Sequence, residues 1–198
     1  MKKILFNDRY GLTQAVLEMR KTMTRRIVPI DLYNQTDWKE VEGGNYMAVS
    51  DGDGHYFDIR RCGNYGIGDE VAIAQAYKDI PWFSEREEYC RNMPEYTAGW
   101  TNKMFVAAKY MPHHIFITEI KVERLQDISN EDCLREGVYM RTEKHPRQEF
   151  EPEYTFGKGD YHAQNPIAAF AALIDKVSGK GTWESNPWVF CYKFELID

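Results

Sequence analysis

The amino-acid sequence predicts a mixed α+β fold. Amphipathic helical segments and period-two strands both occur, but they do not alternate as strand–helix–strand units, so the sheet they build is mainly antiparallel. A small closed or nearly closed barrel is the arrangement that protects the edges of such a sheet. At 198 residues and 43% apolar composition, the chain can bury one substantial core. A single domain over residues 1–198 is therefore expected, with insertions at about 30–62, 78–114 and 139–164.

The elements follow in order. Leu12, Ala15, Val16 and Met19 recur at helical spacing, and the chain leaves this first helix at Arg20 and Lys21. Apolar stretches 46–49 and 55–59 then flank Asp51-Gly52-Asp53-Gly54, a turn-forming string that predicts a hairpin. The string resembles the start of a calcium loop, but Cys62 stands at the twelfth position, where a bidentate Glu is needed, so it reads as a turn. Residues 71–76 and 115–124 read as strands. Ser129 caps a short second helix that Gly137 ends, with Asp132 three residues on, close to a capping box. A third helix has Asn165 as cap and Pro166 at its first position. It buries Ile167, Phe170, Ile174 and Val177 and stops at Gly179. Finally, Trp188, Phe190, Tyr192, Phe194 and Leu196 alternate with Val189, Cys191, Lys193 and Glu195, a half-buried strand. Segments 78–114 and 139–164 are weakly periodic and long for loops, as lids or binding loops would be.

A formal net charge of -6 argues against a general DNA-coating protein, which spends many Lys and Arg on phosphates. The charge is uneven, however: seven Lys and Arg face only Asp8 and Glu18 in the first 28 residues, so a local positive site sits on an acidic body. The four cysteines, Cys62, Cys90, Cys133 and Cys191, form no CxxC pair and read as reduced thiols. No metal and no cofactor are expected. No apolar run approaches the roughly 20 residues that span a bilayer, and the Met1-Lys2-Lys3 start does not read as a secretory signal. A cytoplasmic protein that makes no use of a membrane is expected, and its oligomeric state is left open.

The chemistry concentrates in the string Lys21-Thr22-Met23-Thr24-Arg25-Arg26, at a helix-to-strand junction. An amine, two hydroxyls and two guanidinium groups within six residues suit an anionic or carbonyl-bearing ligand, because Arg gives paired planar donors and a desolvated Lys can act as a base. The same string also fits a solvated basic helix end favoured by the helix dipole. Arg25 and Arg26 are candidates for phosphate or base contacts, with salt bridges as the alternative, and Arg25 is the one placed nearer to phosphate. Tyr65 joins as a pocket candidate beside Gly66, whose missing side chain lets a ligand approach the backbone. Adjacent His113 and His114 point to opposite faces of a strand, which favours structural roles over a shared metal. Trp183 and Trp188 could stack a base but fit core packing better.

The chain resembles the ASCH domains, a PUA-like β-barrel superfamily, in the longer form common in bacteriophage and prophage genomes. The resemblance rests on KTMTRR, on YGIGDEV at 65–71, on Met111-Pro112 before a strand, on VERLQDISNEDCLREGV at 122–138 and on NPWVFCYKFE at 186–195. These pieces span nearly the whole chain in family order. The resemblance implies a PUA-like barrel with a pocket for a nucleobase or nucleotide, RNA association as the general expectation, and the cytoplasm of a bacterial host as the setting. Some small ASCH proteins are amidohydrolases that remove the acetyl group of N4-acetylcytidine with a Lys, a Thr and a Glu. That pattern maps onto Lys21, Thr24 and Glu136, with Thr24 as nucleophile, Lys21 as its activator and Glu136 as proton shuttle. Three departures matter: the chain is about twice as long as those enzymes, Cys133 replaces an Ala, and the strand after GDEV reads Ala72-Ile73-Ala74-Gln75 where relatives of the longer form often carry Arg-Glu. An amidohydrolase, a non-catalytic reader of RNA or a nucleotide, and a phage assembly or host-interaction protein are the readings this leaves. For Lys21 and Thr24 the alternative is a barrel mouth that holds an anion without chemistry. For Glu136 it is a helix-end carboxylate paired with Arg135 or another surface cation.

Overall fold

The structure, a computed structural model, describes residues 1–29, 39–40, 47–50, 56–80, 94–141, 153–159 and 161–198. Its strands are β1 (Lys2–Ile4), β2 (Met23–Ile27), β3 (Lys39–Glu40), β4 (Met47–Ser50), β5 (Tyr56–Asp58), β6 (Glu70–Ile73), β7 (His114–Arg124), β8 (Tyr139–Met140), β9 (Tyr154–Thr155) and β10 (Trp188–Leu196). The helices are α1 (Leu12–Leu17), α2 (Asn130–Arg135), α3 (Pro166–Ser178) and α4 (Thr182–Ser185), joined by short 3-10 turns.

The fold is mixed α+β, as the patterning predicts. Its main sheet has five strands in the order β1-β6-β7-β10-β2, with β1 parallel to β6 and the other pairings antiparallel. The expected barrel does not close among the described residues, where β1 and β2 remain at opposite edges of the sheet. The two edges are nevertheless linked through a side chain: Arg26 on β2 donates to the Leu5 carbonyl just after β1 at 2.7 Å. The hairpin appears as β4 paired with β5, and β3 adds a third strand. Its turn, residues 51–55, lies outside the described residues, as do Cys90 and parts of each expected insertion.

Two readings of the patterning are corrected. Met19 does not continue the first helix: α1 ends at Leu17, and Met19 takes a left-handed φ of 57° with its side chain 69% exposed. The amides of Arg20 and Lys21 both return to the Ala15 carbonyl at 2.9 Å, so the chain reverses there and sends Lys21 inward. Nor is β10 half-buried along its whole length, because Val189 and Cys191 are as buried as Phe190, Tyr192 and Phe194. Between β7 and β2 this first part of the strand is covered on both faces, whereas Lys193 is partly exposed and Glu195 exposed, so the far end keeps the half-buried pattern. Trp188 at its start is only partly buried, under the Arg124 guanidinium at 4.4 Å.

The helix ends agree with their sequence signals. Ser129 accepts from the Asp132 amide at 3.1 Å, and Asn165 accepts from the Ala168 amide at 2.8 Å with Pro166 following. Gly137 and Gly179 take φ of 102° and 113°, where glycine alone is unstrained. Helix α3 buries Ala169, Phe170, Leu173 and Ile174 and packs on α2 and α4. His113 and His114 both meet Asp198: the buried His114 ring contacts its carboxylate at 2.8 Å, and His113 its carbonyl at 3.0 Å. No helix among the described residues is long and apolar enough to cross a membrane.

Candidate functional site

The reversal after α1 delivers Lys21 to the floor of a cavity of about 140 Å³. Lys21, Thr24, Arg25 and Arg26 line it from the α1–β2 junction, Glu136 from the end of α2, and Phe170, Leu173, Ile174 and Val177 from one side of α3. Phe6 and Leu12 complete an apolar wall that faces the polar one. In scale this matches a cavity of about 150 Å³ that accepts a single benzene ring.

Lys21 is 2% exposed, which rules out a solvated helix end. Its ammonium donates to Glu136 Oε2 at 2.6 Å, to the Glu136 carbonyl at 2.8 Å and to the Met23 carbonyl at 2.7 Å, so all three of its donors are used. Burial pushes the Lys21 amine below its ordinary value of 10.5, and the adjacent Glu136 carboxylate works against that fall. Glu136 sits at the C-cap of α2, where the helix dipole disfavours a carboxylate. It is held there by two buried cations, since Oε1 accepts from Arg25 Nη1 at 3.1 Å while Oε2 takes Lys21. Arg135, its sequence neighbour, instead pairs with Glu131 and Asp132. Thr24, opposite Tyr192 on β10, is buried, and its hydroxyl has no hydrogen-bond partner among the described residues.

Arg25 is placed differently from the sequence reading. Its side chain is 0% exposed and all five of its N–H donors are taken. Nε and Nη2 reach Glu123 Oε1 at 3.0 and 2.5 Å, Nη2 also reaches Asp132 Oδ2 at 3.2 Å, and Nη1 reaches Glu136 Oε1 and Met23 Sδ at 3.1 and 3.4 Å. Burial opposes its charge, but the Glu136 and Glu123 carboxylates more than offset this and keep it firmly protonated. No donor remains for a phosphate, and the salt-bridge alternative is the one the structure takes. Arg26 is freer: it is partly exposed, lies 5.9 Å from the Phe6 ring centre and spends one donor on the Leu5 carbonyl.

Tyr65 and Gly66 do not line the cavity. The Tyr65 hydroxyl donates to the Lys3 carbonyl at 3.0 Å, and its ring packs edge-on against Tyr192 at 5.2 Å. The Gly66 amide donates to Asp69 Oδ2 at 2.8 Å, which closes the YGIGD turn on itself. Sequence reasoning missed Glu123 and Asp132, the carboxylates that absorb Arg25. It found the apolar residues of α3 as core positions but not as a cavity wall. Asp132 carried a signal as the residue three positions after the Ser129 cap, whereas Glu123 lies 98 positions from Arg25 and shows no local sign.

Compared with known proteins, the chain matches no family model, no curated protein and no solved structure. What the cavity can do is therefore argued from its own residues.

Proposed function

We propose that the protein is an ASCH domain of PUA-like type that binds a nucleobase or nucleoside in this cavity and hydrolyses an acylated nucleoside amide of the N4-acetylcytidine kind. The observation that carries the reading is that Lys21, Thr24 and Glu136, drawn from two elements far apart in sequence, meet in one cavity with Lys21 and Glu136 2.6 Å apart. An open sheet whose edges are tied by Arg26 is compatible with a barrel-like ancestor.

The chemistry balances within these three groups. When a ligand displaces water, the Lys21 ammonium passes a proton to Glu136 across their short hydrogen bond, leaving an amine and a carboxylic acid. The amine takes the Thr24 hydroxyl proton as Oγ1 attacks the amide carbonyl. Glu136 then protonates the departing nucleobase nitrogen, which restores the ion pair and leaves the acyl group on Thr24. A water molecule repeats the sequence: Lys21 removes its proton, the hydroxide adds to the ester, and Thr24 Oγ1 departs with the proton from Glu136.

The charge inventory favours a neutral ligand. Lys21 and Arg25 are buried against Glu136, Glu123 and Asp132, and Asp132 also takes Arg135, so the buried charges are matched by carboxylates and Arg26 is the cavity-lining cation with spare donors among the described residues. One guanidinium suits the carbonyl oxygen of a base or amide better than a run of phosphates. A second reading, binding without catalysis, is favoured by the three acceptors around Lys21, which stabilise its protonated form.

Chromatographic assay of N4-acetylcytidine with the wild type, Thr24→Ala and Lys21→Ala separates the two. Deacetylation by the wild type alone is expected, with nucleoside binding retained by Thr24→Ala. Binding by every form with turnover by none would replace the hydrolase with a reader.

A further inference from the structure

We infer that Arg25 is the positioning residue of this site: it acts on the ligand only through Glu136, and Glu123 and Asp132 are the residues that keep it turned inward. The inference rests on the hydrolase reading for its kinetic consequence, but its geometry stands independently.

Three observations converge. First, Arg25 borders the cavity yet exposes no side-chain surface, so it has no path to a ligand. Second, it divides the Glu136 carboxylate, holding Oε1 while Lys21 holds Oε2, and so fixes the plane in which the proton-transfer oxygen lies. Third, its guanidinium joins three elements at once: β2, which carries it, β7 through Glu123, and α2 through Asp132 and Glu136. A planar fork with five fixed donors can do this, whereas an ammonium on a flexible stem has three and no plane.

The groups around the Lys21–Glu136 pair are Arg25 and Arg26 on β2, Asp132 and Cys133 on α2, Glu123 on β7 and Cys191 on β10. The two thiols are neutral at ordinary pH, since burial raises both to about 12. After burial and Glu136 itself, Arg26 and then Arg25 bear on the Lys21 charge, so Arg25 shares with Arg26 the field in which Lys21 gives up its proton.

Two variants test this without relying on Arg25→Ala, which strands three carboxylates and threatens folding. Arg25→Lys keeps the charge and loses the fork. It is expected to lower kcat on N4-acetylcytidine at least about tenfold with KM within about twofold, because a displaced Glu136 affects proton transfer and not binding. A rise in KM with kcat unchanged would instead make Arg25 a ligand contact and overturn the inference. Glu123→Gln removes a carboxylate that shares Arg25 and turns more of the guanidinium charge on the pair. The Lys21 side-chain signal, followed by NMR against pH and assigned with Lys21→Arg, should then titrate lower than in the wild type by about half a unit or more. An unmoved Lys21 titration in folded Glu123→Gln would sink the coupling. This arm needs no substrate, so a wild type that turns over nothing would defeat the hydrolase reading while leaving the role of Arg25 to be decided by the titration alone.

Discussion

The Lys21–Glu136 pair and Thr24 share a cavity but differ in what holds them, and this separates their effects on stability from their effects on chemistry. Lys21→Met leaves a buried carboxylate with half its partners and is expected to cost roughly 3–5 kcal/mol. Thr24→Ala removes a hydroxyl that bonds to no described residue and is expected to cost less than about 1 kcal/mol. Urea midpoints for the two variants check the difference; equal losses would mean that Thr24 is a structural residue and no free nucleophile. Thr155 provides a reference outside the site, since its side chain is fully buried and its Oγ1 has no partner among the described residues. Thr155→Val is accordingly expected to raise stability by about 1 kcal/mol, measured the same way. At this scale the string from Lys21 to Arg26 was legible because all its functional groups lie within six residues, and the resemblance supplied Glu136. The fate of Arg25 was not legible, because it depends on Glu123, a surface-looking residue of a distant strand that only the pairing of β7, β10 and β2 brings alongside.

Helix and strand boundaries decide which of these residues face inward. The starts of α2 and α3 and the end of α3 could be read from Ser129, Asn165, Pro166 and Gly179, because a cap is a local interaction between residues a few positions apart. The end of α1 could not, because Met19 continues the apolar spacing while the chain reverses to bury Lys21 instead, an outcome set by Glu136 waiting across the cavity. Gly137 joins the two elements. It takes φ of 102° directly after Glu136, and a Cβ there would lie 3.3 Å from Leu12 Cδ2 and 3.6 Å from Lys21 Cδ. Gly137→Ala is expected to cost about 1–3 kcal/mol in backbone strain and, in addition, to press on Leu12 in the cavity wall and lower turnover. Gly68→Ala is the matched control: its φ of 88° brings similar strain, but a Cβ there meets nothing within 4 Å. It should lose stability while keeping activity, and loss of activity in both variants would mean that general loosening, and not the Leu12 wall, is responsible.

For the molecule as a whole, the same burial that tunes the site shapes the response to alkali. The thiols of Cys133 and Cys191 are raised by burial from an ordinary 9.0 to about 12, and the Tyr192 phenol from 10.0 to about 12. Above pH 9.0 the unfolded chain releases the thiol protons while the folded chain keeps them, so the unfolded state binds fewer protons and stability falls as pH rises. Lys21 acts in the opposite sense. Its folded amine, pushed down by burial, gives up its proton below 10.5, where the unfolded chain still holds one, so its contribution rises with pH up to that value. One lysine against three raised thiols, Cys62, Cys133 and Cys191, leaves a net decline from pH 9.0 onward. The decline steepens above 10.0, where Tyr65 and Tyr192 add to the thiols, and again beyond 10.5, where the lysine contribution ends. Each unopposed group contributes ~1.4 kcal/mol per pH unit. Urea midpoints between about pH 7.5 and about pH 11 should therefore pass through a maximum at about pH 9 and then drop. In a Cys133→Ala, Cys191→Ala double variant the decline between 9.0 and 10.5 should become much shallower, because Cys62, Tyr65 and Tyr192 are then left to work against the lysine contribution there. An unchanged descending limb in that variant would place the alkaline weakness in groups outside the layer between β10 and α2.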